Sequence, residues 1–295
     1  MKIWALTDNK PGHQNQTAGL IQALSTFRDV QTRWLPALSF PKSIWMLLTG
    51  RCKDLCVQPP DLIIAAGHKT HWGLLALKRC CGGRAVVLMN PSLPLRFFDI
   101  CLIPRHDKPP KRDNVIETLG AINRLVPSRL QKPGLGLILL GGESRHFTWD
   151  TDTVLKQIKS LLEKQVERNW TIATSRRTPS ECCEAIRTTF PGIELVLPDS
   201  VSKDWLPQKI QKSEQVWVTE DSISMIYEAL TSGVKTGLIR LEKLANNNIT
   251  RVAEEIDRLL AERRVMTLSS GVADTHAGLN EANRCASILL KKFGL

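Results

Sequence analysis

The chain has 295 residues, 42% of them hydrophobic and 23% charged, which is typical of a soluble globular protein and leaves room for two domains of roughly 130–150 residues each. No apolar run approaches the roughly 20 residues that span a bilayer, and the apolar stretch at the start is too short for a signal peptide. The eight cysteines show no spacing typical of a disulfide framework or a zinc clamp, so we expect reduced thiols and a cytoplasmic location.

The net charge of +11 lies entirely in the first half of the chain. Residues 1–133 contain 19 Lys and Arg against 8 Asp and Glu, whereas residues 134–295 contain 21 of each. Such a basic half would suit an anionic lipid surface, an acidic acceptor or nucleic acid. The basic segment 105–112 has no aromatic residue for stacking on single strands, so we expect no nucleic-acid partner.

Apolar runs alternate with helical periodicity along the first half. The predicted strands there are 3–6, 62–66, 85–89 and 100–103, and the predicted helices are 14–25 and one that ends near Cys80. The alternation predicts an α/β architecture with parallel sheets.

The same alternation restarts in the second half. The predicted strands there are 135–140, 170–174, 194–197, 215–218 and 236–239. Asp150 and Asp221 are predicted N-caps, a capping box at 178–181 predicts another helix start, Gly233 predicts a helix end, and 277–291 is a predicted final helix.

A break in periodicity at 125–134, where two prolines occur, divides the two patterns. We therefore predict two Rossmann-like doubly wound domains that face a cleft, residues 1–128 and residues 129–295. No GxGxxG follows a predicted strand and no Walker A sequence occurs, which argues against a dinucleotide or P-loop site.

Polar loops follow six of the predicted strands, at the end where doubly wound sheets bind ligands. These loops are 7–16, 67–71, 90–92, 141–147, 174–180 and 219–224. In two facing domains of this fold, we expect the six loops to converge on one cleft.

The second-half loops suit a nucleotide diphosphate. Arg176 and Arg177 precede a predicted helix, so guanidinium groups and free backbone amides can meet one anion. Gly141 and Gly142 would let a phosphate or sugar approach the backbone, although a tight turn would also explain them. Glu228 would hold the ribose hydroxyls, or simply be solvated. The remaining predicted donor-binding residues are Ser175, Thr178, Asp221, Ser222 and Ser224.

The first-half loops suit acceptor chemistry. His13 is the predicted general base, with Gly12 letting the chain turn towards the cleft, and Asp8 is the competing base. A purely structural role for His13 is the alternative. The other predicted acceptor-side residues are Lys10, His68, Lys69 and His71. His68 and His71 lack an obvious third metal ligand, so we predict no metal site.

The motifs DNKPGHQNQ, GGESRH, TSRRTP and VTEDSISMIYEA resemble those of the mitochondrial-fission-protein-like family of bacteria and plants, over nearly the whole chain. That family resembles GT-B glycosyltransferases, which implies a nucleotide-sugar donor in the C-terminal domain, an acceptor in the N-terminal domain and a last helix that returns to the first domain. The resemblance also implies that Glu228 holds ribose and that Arg176 or Arg177 contacts the diphosphate, without a bound metal.

These observations predict a metal-independent transferase without a cofactor, which moves a sugar from a nucleotide diphosphate to a lipid-linked or envelope-saccharide acceptor. A nucleotide-sugar epimerase or hydrolase of the same fold is one alternative. A non-catalytic membrane or organelle-fission adaptor is another.

The segment FPKSIWMLLTGRCK, residues 40–53, leaves two structural readings open. Apolar side chains lie between Lys42, Arg51 and Lys53, as they do in helices that rest on anionic lipid. A buried helix of the first domain, which we favour, would have the same pattern. We thus keep peripheral contact with the inner face of a membrane as an expectation.

Overall fold

A computed structural model describes residues 1–52, 58–202, 204–244, 250–270 and 278–295. The chain divides into two compact units, which are described separately. Unit 1 comprises Met1–Arg124 and Asn280–Leu295, and unit 2 comprises Leu125–Leu279.

The strands are β1 (Lys2–Thr7), β2 (Gln31–Pro36), β3 (Leu62–Ala66), β4 (Arg84–Leu88), β5 (Ile100–Pro104), β6 (Val115–Thr118), β7 (Leu135–Leu140), β8 (Phe147–Thr148), β9 (Asn169–Thr174), β10 (Glu194–Val196), β11 (Gln215–Thr219), β12 (Lys235–Ile239) and β13 (Glu242–Lys243). The α-helices are α1 (Pro11–Ser25), α2 (Phe40–Thr49), α3 (His71–Cys81), α4 (Thr151–Lys164), α5 (Ser180–Thr189), α6 (Trp205–Lys212), α7 (Ile223–Ser232), α8 (Arg251–Ala261) and α9 (Glu281–Phe293).

Unit 1 is built on a parallel sheet with the strand order β2-β1-β3-β4-β5-β6. Leu20 and Leu24 of α1 and Leu289 of α9 pack on one face of the sheet. Leu74 and Leu77 of α3 pack on the other face. Because both faces are covered, the central strands are continuous apolar runs, such as the fully buried Leu62–Ala66.

Unit 2 is built on a parallel sheet with the strand order β10-β9-β7-β11-β12. Val154 and Ile158 of α4, Ile226 of α7 and Ile256 of α8 belong to its core. The short strands β8 and β13 pair antiparallel outside this sheet. The predicted α/β architecture with parallel sheets is therefore confirmed.

Each sheet has a point where the strand order reverses direction. In unit 1 the chain goes from β1 to β2 on one side and then returns to β3 on the other side of β1. In unit 2 it goes from β7 through β9 to β10 and then returns to β11 beside β7. Connections on opposite sides of such a pair leave a crevice at the carboxyl ends of the strands, where open α/β sheets bind ligands. The pairs β1/β3 and β7/β11 therefore locate the candidate sites.

Two predicted helix starts are wrong in their details. Ser222, not Asp221, is the N-cap of α7, and Pro179 is the N-cap of α5 with no side-chain capping bond. Asp150 does cap α4 by accepting a hydrogen bond from the Asp152 amide, and Gly233 ends α7 in the left-handed conformation. The expectation of reduced thiols is wrong for Cys81, which is disulfide-bonded.

Candidate functional site

In unit 2, the loops after β7, β9 and β11 are joined by hydrogen bonds at the predicted crevice. The amide of Gly141 donates to the Thr219 hydroxyl across 2.8 Å. The Ser175 hydroxyl donates to the Gly141 carbonyl, also across 2.8 Å. Thr178 donates to the carbonyl of Leu140 and accepts from the amide of Ser175. Thr178 thus fastens its loop to β7 instead of capping α5.

Asp221 is the centre of this network. Its fully buried carboxylate accepts through Oδ2 from the Gly142 amide at 3.0 Å, the Arg177 guanidinium at 2.7 Å and the Ser222 hydroxyl at 3.0 Å. A buried carboxylate is stable only when paired and hydrogen-bonded. The Asp221 carboxylate therefore joins the three loops through its hydrogen bonds, and for this reason it does not cap α7.

The two glycines are required by this close packing. A Cβ at Gly141 would lie 2.1 Å from the Asp221 carboxylate, and a Cβ at Gly142 would lie 1.9 Å from the carbonyl oxygen of Arg177. The sequence suggested room for a phosphate or a tight turn. In the structure, the neighbouring loops pack closely against both glycines.

The adjacent arginines have different surroundings. Arg177 donates to Asp221, to Ser222 at 2.9 Å and to the Glu143 carbonyl at 2.8 Å. The Arg176 side chain is 70% exposed, and it makes a long ion pair of 3.8 Å with Asp199, which is itself exposed. Arg176 is therefore the arginine whose charge can be redirected to an incoming anion, whereas Arg177 is already part of the network.

Helix α7 begins directly after the network. No side chain caps its first turn, so the partial positive charge of the helix N-terminus can face an anion. Ser224 is exposed and Glu228 is half-buried, and their spacing of four residues puts them on one helix face. The start of α7 and the side chains of Ser224 and Glu228 therefore lie along one face of the helix.

In unit 1, Asp8 and His13 form a pair at the β1/β3 crevice. Nδ1 of His13 lies 3.0 and 2.9 Å from the two carboxylate oxygens of Asp8, whose side chain is fully buried. Although burial raises the pKa of Asp8, hydrogen bonds from the Lys10 amide and from His13 outweigh it and lower the pKa. Asp8 is therefore ionised near neutral pH, fixes Nδ1 as a donor and leaves Nε2 as the basic nitrogen.

Gly67, which the sequence reading did not single out, positions this pair. It follows β3 with a φ of +88°, and a Cβ there would lie 2.3 Å from Nδ1 of His13. The sequence feature that could have identified Gly67 is its position directly after a predicted buried strand. The role expected for Gly12 is wrong, because Gly12 lies in the first turn of α1 and a Cβ there would meet nothing within 4 Å.

The other predicted acceptor-side residues line the same end of the sheet. Lys10 precedes α1 and is exposed, as are His68 and Lys69 after β3. His71 is buried, with Nδ1 3.1 Å from the hydroxyl of Ser92 in the loop after β4. Burial, with smaller effects of His68 and His13, lowers the pKa of His71 to about 4, so His71 is neutral at neutral pH. Within the described residues, no group of three His, Cys, Asp or Glu side chains could hold a metal ion.

Two parallel α/β units, each with a switch-point crevice, define the fold as GT-B-like, and solved structures with that fold match nearly the whole chain. A UDP-GlcNAc 2-epimerase from Methanocaldococcus jannaschii matches with a TM-score of 0.56 and 12% identity over 99% of this chain and 100% of that one. The E. coli heptosyltransferase WaaC, solved with ADP, matches with a TM-score of 0.51 and 9% identity over 99% and 100% of the two chains. The predicted fold class is confirmed.

The chain belongs to the Mitochondrial fission ELM1 family, whose model matches residues 11–293. An uncharacterized protein of Rickettsia prowazekii, RP120, is 24% identical over 100% of this chain and 99% of that protein. The resemblance seen in the sequence motifs is thereby confirmed.

Proposed function

We propose that this protein is an enzyme that binds a nucleotide-diphosphate sugar in unit 2 and transfers the sugar to a hydroxyl acceptor activated in unit 1. The observation that carries the proposal is the Asp8–His13 pair at a switch point. A carboxylate that fixes the tautomer of a histidine is the arrangement that activates hydroxyl groups. The similar structures include a heptosyltransferase and a nucleotide-sugar epimerase, and this supports the donor class.

The acceptor oxygen forms a bond to the anomeric carbon of the sugar while the bond from that carbon to the diphosphate oxygen breaks. His13 takes the acceptor proton through Nε2, and the nucleoside diphosphate leaves as an anion. Arg176 and the first turn of α7 would stabilise that anion. The acceptor class we propose is a lipid-linked or envelope saccharide, because unit 1 contains the positive charge excess of the chain.

A binding panel provides the first test. Nucleoside diphosphates and nucleotide sugars with different bases are added to the protein, and the midpoint of thermal unfolding is measured. A ligand that binds only the folded state stabilises it by mass action, by about 2.7 kcal/mol at one hundred times its dissociation constant. Absence of any stabilisation would remove the enzyme proposal and favour the adaptor.

Turnover provides the second test. With the donor identified, release of nucleoside diphosphate is measured in the presence of candidate acceptors. His13→Ala is expected to reduce turnover about 100-fold while leaving donor affinity unchanged, and Lys291→Ala, at an exposed position of α9 in the same unit, serves as the control. Conversion of the donor to an isomer that keeps its nucleotide would establish the epimerase alternative instead.

A further inference from the structure

The outer face of α2 carries a concentration of apolar side chains that unit 1 leaves exposed. Phe40, Trp45 and Leu48 are 58%, 49% and 77% exposed. Ser43 and Met46 are the helix residues that are buried. The sequence pattern favours a buried helix, but in the structure one side of α2 is buried and the other side is exposed.

These positions follow helical geometry. Trp45 and Leu48 lie three residues apart, on the same side as the exposed Pro41 and opposite Ser43 and Met46. Helix α2 packs on α3 in unit 1, and Phe40 makes an edge-to-face contact with Trp72 of α3, with ring centroids 5.5 Å apart. The exposed side is therefore held in place by the packing of the buried side.

The charged residues in the sequence segment that contains α2 are all basic. Residues 30–52 contain Arg33, Lys42 and Arg51 and no Asp or Glu. Lys42, within α2, and Arg51, just after it, are both exposed. Basic side chains next to exposed tryptophan and leucine complement a surface that is negatively charged outside and apolar beneath, which is the cross-section of an anionic lipid leaflet.

The length of the helix sets the depth of such a contact. Ten residues extend about 15 Å, half of the roughly 30 Å hydrocarbon thickness of a bilayer. Among the described residues, no helix has the length and apolar content to cross a membrane. An amphipathic helix of this kind lies in the plane of the interface.

We propose that the outer face of α2 docks unit 1 onto an anionic lipid surface. Trp45 and Leu48 enter the boundary between headgroups and acyl chains, where tryptophan is favoured. Lys42 and Arg51 contact the lipid phosphates. This inference rests on the helix face and its charges, and it does not depend on the proposed enzymatic function.

Vesicle co-sedimentation of the full chain tests the proposal. The vesicles are phosphatidylcholine alone or phosphatidylcholine with one third phosphatidylglycerol. We expect binding to the anionic vesicles that weakens with added salt, because screening acts on exposed charges. Absence of sedimentation with anionic vesicles, or equal sedimentation with both kinds, would overturn the proposal.

Point variants connect the binding to α2. Leu48→Glu is expected to reduce the partition coefficient about tenfold, because it removes apolar area and adds a repelled charge. Lys42→Ala is expected to reduce it about fivefold. Val166→Glu, at a position of unit 2 that is 76% exposed, is the matched control and should bind like the unmodified protein. Equal binding of Leu48→Glu and Val166→Glu would contradict the assignment.

The alternative occupant of this face is a second copy of the chain. Analytical ultracentrifugation without vesicles distinguishes the two. A monomer at the concentrations used for sedimentation supports lipid docking. A dimer that Leu48→Glu dissociates, together with no vesicle binding, would overturn it in favour of self-association.

Discussion

Glu228 can be tested as a single side chain, because α7 places it one turn beyond the exposed Ser224. If Glu228 accepts hydrogen bonds from ribose hydroxyls, Glu228→Ala should weaken nucleotide-sugar binding by about 1.5–3 kcal/mol, the range for hydrogen bonds to a charged group. Calorimetric titration measures the affinity, and circular dichroism checks the fold. Glu163→Ala, which removes an exposed carboxylate from α4, is the control. Equal affinities of the two variants would refute the assignment.

The two adjacent arginines are expected to differ in their effect on stability. Arg177→Ala leaves the buried Asp221 carboxylate without its guanidinium partner, so it should reduce the free energy of unfolding by about 2–3 kcal/mol. That value is lower than for a fully buried pair, because the Arg177 side chain is 46% exposed. Arg176→Ala should reduce it by less than about 1 kcal/mol.

Urea denaturation measures both arginine variants, and nucleotide titration completes the comparison. We expect Arg176→Ala to keep its stability and lose diphosphate affinity. If Arg176→Ala were less stable than Arg177→Ala, the ion pair between Arg177 and Asp221 would not be the one that stabilises the fold.

At the scale of elements, the loop between β3 and α3 packs against the Asp8–His13 pair. Gly67→Ala forces a φ of +88° on a residue with a side chain and places a Cβ against His13. We expect a loss of about 2 kcal/mol in unfolding free energy, and a fall in turnover with unchanged donor affinity, because unit 2 is untouched.

Gly12→Ala is the matched control for Gly67→Ala. It adds the same methyl group in the first turn of α1, into open space. Because alanine favours helix over glycine, the change should be neutral or stabilise by up to about 1 kcal/mol. A Gly67→Ala protein as stable and active as Gly12→Ala would contradict the positioning role of Gly67.

The same elements show what a sequence can predict. Buried parallel strands such as β3 and β7 are continuous apolar runs, and both were predicted with the observed bounds. Strand β2 was missed, because this edge strand is mostly exposed and reads QTRWLP without a buried run. The local sequence pattern is therefore sufficient to predict a strand when both faces of that strand are buried.

Side chains with competing partners could not be predicted in the same way. Asp221 and Thr178 have the residue types and positions of N-caps, but both bond to loops distant in sequence. A cap is a local preference of about 1 kcal/mol, and long-range pairing in a buried network outweighs it. The Asp8–His13 contact could not be predicted either. From the sequence, the two residues are alternative candidates for the general base, whereas in the structure they bond to each other.

At the scale of the whole molecule, unit 1 depends on the last helix. Cys285, Ala286, Leu289 and Leu290 of α9 are buried in unit 1, and the Leu119 amide donates to Glu281. Deletion of residues 280–295 should therefore cost unit 1 roughly 5 kcal/mol of apolar burial and unfold it, while unit 2 stays folded.

Hydrogen exchange followed by mass spectrometry tests the deletion. Peptides from β1, β3 and β4 should lose protection, and peptides from β7, β9 and β11 should keep it. Lys291→Ala, an exposed change on α9, should leave both sets protected. Loss of protection in β7 or β11 would show that unit 2 requires α9 as well.

The return of α9 also sets an order of assembly during synthesis. The residues of unit 2 leave the ribosome before the residues that complete unit 1. Because domains fold as units while the chain grows, unit 2 can form its core first, although it comes second along the chain. The unit 1 sheet stays uncovered by α9 until residues 280–295 have left the ribosome, so a nascent chain would complete unit 2 before unit 1.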